Sequence, residues 1–221
     1  MNVNSWAEGL TKDVYEKWKS DYPFWKRGFE VFYSPVHMNP KIMILSLNPG
    51  GDVDDQYWQK DLNRFKRGDF SLPPVHRFVS EDYTMARRMK KFFGKREDLL
   101  GESVTLPVLF FRSPDFEIWK KDSGEKRQEM ESFCFGKVRE IVDTLKPMMF
   151  LILGFRTYRY LKKDLSMKMN NETENNGDNG KPISYQSEWS GIPIFCIMHP
   201  SGAYISDKNL NRNRKEFFKL V

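Results

Sequence analysis

The sequence contains only two cysteines among its 221 residues, Cys134 and Cys196. Two cysteines are too few for a disulfide framework and lack metal-ligand spacing, so we expect both to be small buried hydrophobic residues. No apolar run approaches the roughly 18 residues of a membrane span. The opening stretch MNVNSWAEGL lacks the basic and hydrophobic regions of a signal peptide. These absences predict a cytoplasmic protein with no membrane partner, no disulfide and no metal.

The composition is that of a globular protein, with 39% hydrophobic, 15% aromatic and 30% charged residues. A chain of this length fits one domain that buries roughly 70% of its unfolded surface. We therefore predict a single domain over residues 1–221, and a monomer. The stretch NNETENNGDNG has almost no apolar residue. It predicts a flexible polar insertion around residues 166–184 rather than a domain boundary.

Basic residues exceed acidic ones and give the chain a formal net charge of +6. This surplus is modest and would suit a solvated surface, but the basic residues are clustered. If two clusters flank a pocket, they supply the salt-dependent attraction to phosphates on which nucleic-acid binding depends. The clusters are Arg64, Lys66 and Arg67; Arg87, Arg88, Lys90, Lys91, Lys95 and Arg96; Arg156, Arg159, Lys162 and Lys163; and Arg212, Arg214 and Lys215.

The stretch KIMILSLNPGG, residues 41–51, joins a strand pattern to a polar loop. Its apolar run, broken only by a serine, is typical of a strand buried on both faces of a parallel sheet. The loop cannot continue the strand, because Pro49 lacks an N–H and the glycines favour unusual backbone angles. Open α/β folds bind ligands at the carboxyl ends of their strands, which predicts Asn48 at the lip of a pocket. The alternative is an ordinary strand-to-helix turn.

Three further apolar runs predict strands at residues 106–111, 148–153 and 192–198. Apolar residues at helical spacing predict helices at about residues 10–19, 82–93, 126–146 and 207–220, with Pro147 ending the third. Buried strands separated by helices are typical of right-handed crossover connections. The predicted fold class is α/β, a three-layer α/β/α sandwich with a central, mainly parallel four-stranded sheet.

Polar loops follow all four predicted strands, so the chemistry is expected at the edge of the sheet where the strands end. Asp52, Asp54 and Asp55 come just after the first loop, where acids oppose the positive end of a helix dipole. That explanation suffices for them, although Asp52 is also near enough to act as a base. The four loops are Asn48-Pro49-Gly50-Gly51, Arg112-Ser113, Gly154-Phe155-Arg156 and His199-Pro200-Ser201-Gly202.

Two of these loops form a pair of motifs, SLNPGG at residues 46–51 and HPSG at residues 199–202. The pair resembles the uracil-DNA glycosylase superfamily, in which a GxNPG-type motif follows the first sheet strand and an HPS-type motif the last. The likeness extends over residues 41–206, because the Leu-Lys-Pro helix end and the following Leu-Gly strand end also match. The resemblance implies an enzyme that flips a nucleotide out of DNA and cleaves the base from its sugar without a cofactor.

The resemblance also implies roles for single residues. His199 matches the position that donates a hydrogen bond to the departing base. Asn48 matches the position that holds the attacking water. An amide orients water but cannot take its proton, which implies a slower enzyme of mismatch or single-strand type. Further predicted substrate-binding residues are the motif neighbours Ser46, Leu47, Pro49, Gly50, Gly51, Pro200, Ser201 and Gly202.

Other family positions match less well. The second strand, LPVLFFRSP, lacks the asparagine that reads a pyrimidine edge, which puts uracil as the substrate in doubt. The candidates are Tyr57, Trp58 and Phe65 for stacking on the flipped base, Arg112 and Ser113 for contacting a base edge or phosphate, and Tyr204 or Ile205 for wedging into the vacated stack.

Two other functions stay open. A non-catalytic or differently specialised nucleic-acid-binding protein of the same fold would explain the missing asparagine, since a fold does not fix an activity. A small-molecule hydrolase using Ser201 and His199 needs an acid to orient the histidine, and the sequence places none clearly. Under the first two functions the expected partner is single- or double-stranded DNA.

Overall fold

The computed structural model of the chain describes residues 2–163, 168–201 and 206–221. Helices and strands alternate along the chain, which confirms the predicted α/β class. The strands are β1 Met43–Ser46, β2 Val104–Pro107, β3 Phe150–Leu153, β4 Met169–Asn176, β5 Pro182–Trp189 and β6 Ile192–Ile197. The helices are α1 Val3–Asp21, α2 Gln56–Lys66, α3 Arg77–Ser80, α4 Thr84–Phe93, α5 Glu97–Gly101, α6 Phe116–Ser123, α7 Arg127–Leu145, α8 Phe155–Lys163 and α9 Asp207–Phe217, with 3₁₀ turns at Gly94–Arg96 and Gly124–Lys126.

The described strands form one mixed sheet in the order β2-β1-β3-β6-β5-β4. β2, β1, β3 and β6 run parallel, with Leu45 level with both Leu106 and Ile152. These four strands come from the four apolar runs. β2 overlaps the predicted strand at 106–111 only at Leu106 and Pro107, because it begins and ends earlier, and Phe111 instead forms an isolated bridge with Phe29. The prediction of a four-stranded sheet was wrong in the number of strands, because β4 and β5 add an antiparallel hairpin beside β6.

The hairpin of β4 and β5 occupies most of the stretch that was predicted as a flexible insertion; residues 166 and 167 lie outside the described residues. β4 is exposed along most of its length, whereas β5 buries Ile183, Ser184 and Tyr185. Between the strands the Gly180 N–H donates to the Gly177 carbonyl at 3.0 Å. β4 needs few apolar side chains, because its backbone pairs with β5 while its side chains face water. The polar stretch therefore contains regular strand structure that the sequence analysis did not predict.

Apolar side chains divide between the two faces of the sheet and form two clusters. Met43 and Leu45 belong to the cluster that α1 and α7 cover. Ile42 and Ile44 belong to the cluster that α4 and α9 cover. This alternation follows from the two-residue period of a strand. Helices therefore lie on both faces of the sheet. Both cysteines are buried and free, as expected.

Local signals set the ends of the helices. The Asp55 carboxylate accepts hydrogen bonds from the N–H groups of the first turn of α2, which explains the acidic start of that segment. α7 ends at Leu145, where Lys146 turns left-handed with a φ of 52° just before Pro147. None of the helices in the described part of the chain combines the length and apolar character of a membrane span.

Candidate functional site

The first motif loop, residues 47–55 after β1, is fastened to the segment that follows β2. The Asn48 amide nitrogen donates to the carbonyl oxygens of Pro49, at 3.0 Å, and Ser113, at 3.1 Å. The Ser113 N–H donates to the Pro49 carbonyl at 3.0 Å. The structure thus brings two of the predicted loops together. Because the amide hydrogens of Asn48 point at carbonyls, its Oδ1 is the atom left to accept a hydrogen bond from water.

The residues around Asn48 hold it rather than line a surface. Ser46 and Leu47 are each 6% exposed, and their carbonyls pair with the backbone that follows β2. Pro49 is buried, while Gly50 is exposed. Ser46, Leu47 and Pro49 were predicted to bind substrate, but their burial makes them supports for Asn48.

Arg112 and Ser113 were predicted to contact a base edge or phosphate, and the structure corrects this. Arg112 is 4% exposed, and its guanidinium donates to Glu30 Oε2 at 3.0 Å and Asp55 Oδ2 at 2.5 Å. It lies against Gly51, whose φ is 114° and where a Cβ would collide with the guanidinium. Ser113 is fully buried, and its hydroxyl donates to a backbone carbonyl. Both residues therefore brace the first motif loop.

The ion pairs continue from Arg112 to α3. Glu30 also pairs with Arg77, which pairs in turn with Asp61 at 3.3 Å and Glu81 at 3.7 Å. Burial raises the pKa of Glu30, while the attraction of the two arginines opposes that rise. We call this set, together with Asp55, the ion-pair network. The sequence analysis missed Glu30 and Arg77; the available signal is a single carboxylate inside the apolar stretch FEVFY.

His76 caps α3 directly before Arg77. Its Nδ1 accepts a hydrogen bond from the Phe78 N–H at 3.1 Å, and its Nε2 lies 2.8 Å from Thr105 Oγ1 on β2. Burial lowers the pKa of His76 to about 4. The ring is therefore neutral near pH 7, with its proton on Nε2, and it joins α3 to the edge strand.

The three aromatic candidates for base stacking differ in exposure. Trp58 is 1% and Phe65 is 6% exposed, whereas Tyr57 is 54% exposed. The Trp58 ring lies against Gly28, where a Cβ would collide with it. Trp58 and Phe65 were therefore wrong candidates, because they belong to the hydrophobic core. Tyr57 stays a prediction, and the Asp55 carboxylate fixes its backbone by accepting from its N–H at 2.8 Å.

The second motif loop, residues 198–201 after β6, presents the His199 imidazole. The ring Nδ1 lies 2.8 Å from the Ser201 hydroxyl and also accepts the Ser201 N–H at 3.3 Å. Burial lowers the pKa of His199, which favours the neutral ring at pH 7. Because Nδ1 accepts from the Ser201 N–H, the single ring proton resides on Nε2. The imidazole can thus donate a hydrogen bond from Nε2 without being charged.

Two contacts hold the second motif loop in place. Gly154, with a φ of 100°, lies so close that a Cβ there would be 3.1 Å from His199 Cβ and 3.2 Å from His199 Cδ2. The Gly154 N–H also donates to the Ile197 carbonyl at 2.8 Å. On the other side, the Arg88 guanidinium of α4 donates to the Pro200 carbonyl. Glycine after β3 therefore lets the histidine pack closely, and α4 touches the motif directly.

The two motif loops lie at the same edge of the sheet. β1 and β6 run parallel on either side of β3, so their carboxyl ends are two strand spacings apart, about 10 Å. The strand order thus places both loops at one edge of the sheet, and a cleft shared by Asn48 and His199 stays a prediction. Gly202 and Tyr204, also predicted to bind substrate, lie outside the described residues, as does Ile205.

Of the four basic clusters, the structure brings two together. α4 packs on α9 through Phe92 and Phe217, with ring centroids 5.3 Å apart, and so joins their basic residues on one surface. In the other clusters, Arg64 pairs with acids of its own neighbourhood, and Arg156 and Lys162 pair with Glu117 and Glu172.

Among the described residues, no group of three or more His, Cys, Asp or Glu side chains is arranged to hold a metal ion. The site thus consists of an amide oxygen, a neutral imidazole donor and a basic surface beside them. No protein-family model matches the chain, and no curated protein resembles it at a significant level.

Proposed function

We propose that the protein is a DNA glycosylase that hydrolyses the N-glycosidic bond of a deaminated or damaged base. The observation that carries this proposal is that Asn48 and His199 lie in loops at the same edge of the sheet. The Asn48 side chain offers a hydrogen-bond acceptor, and the His199 side chain offers a donor. A glycosidic bond breaks with negative charge on the base and positive charge on the sugar. A donor on the base side and an oriented water on the sugar side meet those two needs.

His199 serves the departing base. Its neutral ring donates from Nε2 to a base carbonyl oxygen, and this hydrogen bond strengthens as negative charge develops there. Because its pKa is lowered, the ring is neutral at pH 7 and keeps a single N–H, on Nε2, as the donor. Gly154 and Arg88 hold the loop from which it acts.

Asn48 serves the attacking water. Its amide nitrogen is held by two carbonyls, so its orientation is fixed before any substrate arrives. The oxygen can then accept a hydrogen bond from water, but an amide takes no proton. The bond between base and sugar therefore breaks first, with its electron pair leaving on the base, and the water then bonds to the positively charged sugar. The proton that the water loses passes to solvent or to the base anion, and the reaction is slow compared with one assisted by a carboxylate base.

The experiment uses oligonucleotides that carry uracil, mismatched thymine, hypoxanthine or an alkylated base. They are incubated with excess protein and assayed for alkali-labile abasic sites. On the base that is cleaved, His199→Ala should slow single-turnover cleavage about a hundredfold, equivalent to about 3 kcal/mol. Asn48→Ala should also slow it. DNA affinity should survive in both variants.

His37→Ala is the matched control. His37 lies just before β1, at the opposite edge of the sheet, where its Nε2 is 2.6 Å from the Glu102 carbonyl oxygen. The His37→Ala variant should cleave at the wild-type rate. Wild-type cleavage by His199→Ala and Asn48→Ala would make the two motifs structural turns. Failure of the wild-type protein to cleave any of the oligonucleotides would end the proposal.

A second candidate is a non-catalytic nucleic-acid-binding protein of the same fold. The burial of Arg112 and Ser113 favours it, because neither residue reads a base. A protein of this kind would bind DNA in the assay above without leaving abasic sites. The hydrolase alternative has less support: Ser201 is hydrogen-bonded to His199, but among the described residues no carboxylate hydrogen-bonds to that ring.

A further inference from the structure

The positive charge of the chain is concentrated on two neighbouring helices. Residues 84–96, which form α4 and the 3₁₀ turn after it, contain six basic and no acidic residues. α9 contains four basic and two acidic residues. These two segments carry a net charge of +8, which exceeds the +6 of the whole chain. The remainder of the protein is therefore slightly acidic, and the excess charge is local.

The fold makes one surface of these two helices. Their apolar sides meet in the core, where Phe92, Phe93 and Phe217 pack together. Their outer sides are joined by the Lys91–Asp207 ion pair at 2.6 Å. We call the exposed basic residues of α4, its 3₁₀ turn and α9 the α4–α9 surface.

Three ion pairs on this surface join side chains that are all exposed. Arg87 pairs with Asp82 at 3.4 Å, Lys91 with Asp207, and Lys208 with Asp178 at 2.9 Å. Each of these six side chains is at least 56% exposed. Exposed pairs contribute little to stability, so a phosphate can replace the carboxylate at low cost.

The α4–α9 surface reaches the candidate site directly. Arg88, on the same helix, donates to the Pro200 carbonyl in the second motif loop. Because α4 has 10 residues, it is about 15 Å long and spans the axial rise of about four phosphates of one DNA strand. Arg88 lies in the middle of α4, so a strand lying along α4 would pass beside the second motif loop.

We propose that the α4–α9 surface binds the phosphate backbone of the nucleic-acid strand whose nucleotide enters the site. The inference deepens the proposed function and rests on it for the choice of nucleic acid over another polyanion. It also separates this surface from α8, where Arg156 and Lys162 pair with Glu117 and Glu172.

The test compares two triple variants that remove the same number of charges. The surface variant is Arg87→Ala, Lys91→Ala, Lys208→Ala; the control is Arg159→Ala, Lys162→Ala, Lys163→Ala on α8. Affinity for an undamaged, fluorescently labelled oligonucleotide, single-stranded and duplex, is measured from low to high salt. The surface variant should bind at least about tenfold more weakly at about 0.1 M salt, and its log–log salt slope should become shallower by about 0.9 for each phosphate that it no longer neutralises. The control should change affinity less than about twofold.

Two outcomes overturn the surface assignment. Equal losses of affinity in both triple variants would mean that only total charge matters, and unchanged affinity in the surface variant would place the backbone elsewhere. Vesicles of phosphatidylcholine with phosphatidylserine form a further arm. If the surface variant loses vesicle binding while keeping oligonucleotide binding, the surface serves a membrane and the proposal is wrong.

Failure of the proposed function would look different. Undamaged oligonucleotides measure binding without cleavage, so a protein that cleaves nothing can still show the predicted loss of affinity in the surface variant. That result would support the α4–α9 surface as a binding site and contradict the proposed glycosylase activity. Cleavage by the wild-type protein together with unchanged binding by the surface variant would support the glycosylase activity and contradict the surface assignment.

Discussion

The two motif loops lie at one edge of the sheet but are held in different ways. The first loop is tied to Ser113 by backbone and amide hydrogen bonds and braced by Arg112, which is 4% exposed and paired with two carboxylates. The second loop is half-buried, rests against Gly154 and is held by one exposed arginine of α4. The first loop is thus braced by a buried ion pair, whereas the second is attached to a charged surface.

This difference matches the needs of the proposed reaction. Water must be held in a fixed position on the sugar side, and a buried, paired network keeps its geometry because distortion would leave a charge unpaired. The histidine side must admit a bulky flipped base. A loop held by exposed contacts can shift at low cost, since exposed ion pairs and hydrogen bonds contribute little. The comparison predicts large stability effects at the first loop and small ones at the second.

Arg112→Met should have the largest effect. It removes the cation between Glu30 and Asp55 and leaves Glu30, whose side chain is 5% exposed, with Arg77 alone. Breaking a buried pair in this way costs about 3–5 kcal/mol, measurable as the loss in unfolding free energy in urea.

Arg156→Met is the control for that variant. Arg156 is 61% exposed and pairs with an exposed Glu117 at 3.2 Å, so its replacement should cost less than about 1 kcal/mol. The double variant Glu30→Met, Arg112→Met should recover part of the stability, because the buried Glu30 carboxylate is removed with its cation and only the less buried Asp55 loses a partner. A decrease below about 1 kcal/mol for Arg112→Met alone would contradict the contrast between the loops.

His76 should make the unfolding free energy of the protein depend on pH. Its pKa in the folded state is about 4, below the ordinary 6.5. As the pH falls, the unfolded chain takes up the proton first. The contribution of His76 to stability is therefore complete above about pH 6.5 and is lost as the pH approaches 4, a change of about 3 kcal/mol.

The measurement is the unfolding free energy from about pH 7 to about pH 4.5 for the wild type, His76→Gln and His199→Gln. His76→Gln should flatten the profile by most of the amount just given, whereas His199→Gln should flatten it less. Carboxylates titrate in all three proteins, so only the differences count. Identical slopes for His76→Gln and the wild type would refute the assignment.

Gly154→Ala tests the second loop through its closest neighbour. The change forces alanine into a φ of 100° and puts a Cβ 3.1 Å from His199 Cβ. Backbone strain of this kind costs about 1–3 kcal/mol, and the imidazole must move. Calorimetry measures the first effect, and the His199 ring signals in an NMR pH titration report the second.

Gly136→Ala serves as its control. Gly136 lies in α7, and a Cβ there would meet no atom within 4 Å. Alanine in a helix interior should stabilise the protein by about 0.5–1 kcal/mol. A Gly154→Ala protein that is as stable as Gly136→Ala and keeps the wild-type His199 titration would show that the close approach is unimportant.

Apolar runs predicted the four parallel strands because burial on both faces requires continuous apolar side chains. β4 escaped prediction because an edge strand is defined by backbone pairing, and its polar side chains give no such run. The motif positions followed from the same reasoning, since loops after parallel strands meet at one edge.

Side-chain roles in the site were harder to predict, because they depend on residues distant in sequence. Arg112 has the chemistry of a phosphate-binding residue, but its partners Glu30 and Asp55 lie 82 and 57 positions away. Trp58 has the chemistry of a stacking residue, but it fills space left by Gly28. Residue type does not distinguish a buried role from an exposed one, and only the packing of separate segments does.

Arg88→Ala should have the smallest effect on stability and the sharpest effect on the second loop. Arg88 is exposed, so its replacement should change the unfolding free energy by less than about 0.5 kcal/mol. Without its hydrogen bond to the Pro200 carbonyl the loop loosens, and the pKa of His199 should rise towards its ordinary value because the ring becomes more exposed.

Arg87→Ala removes the same charge one position earlier and should leave the His199 titration unchanged, while Arg88→Lys should restore it in part by keeping a donor. Since the titration needs no substrate, it reports on the surroundings of His199 in the second loop whether or not the protein is an enzyme. Equal shifts of the His199 pKa in Arg87→Ala and Arg88→Ala would show that only the loss of a distant charge matters. The hydrogen bond from α4 would then not hold the second loop, and the contrast between the two loops would fail.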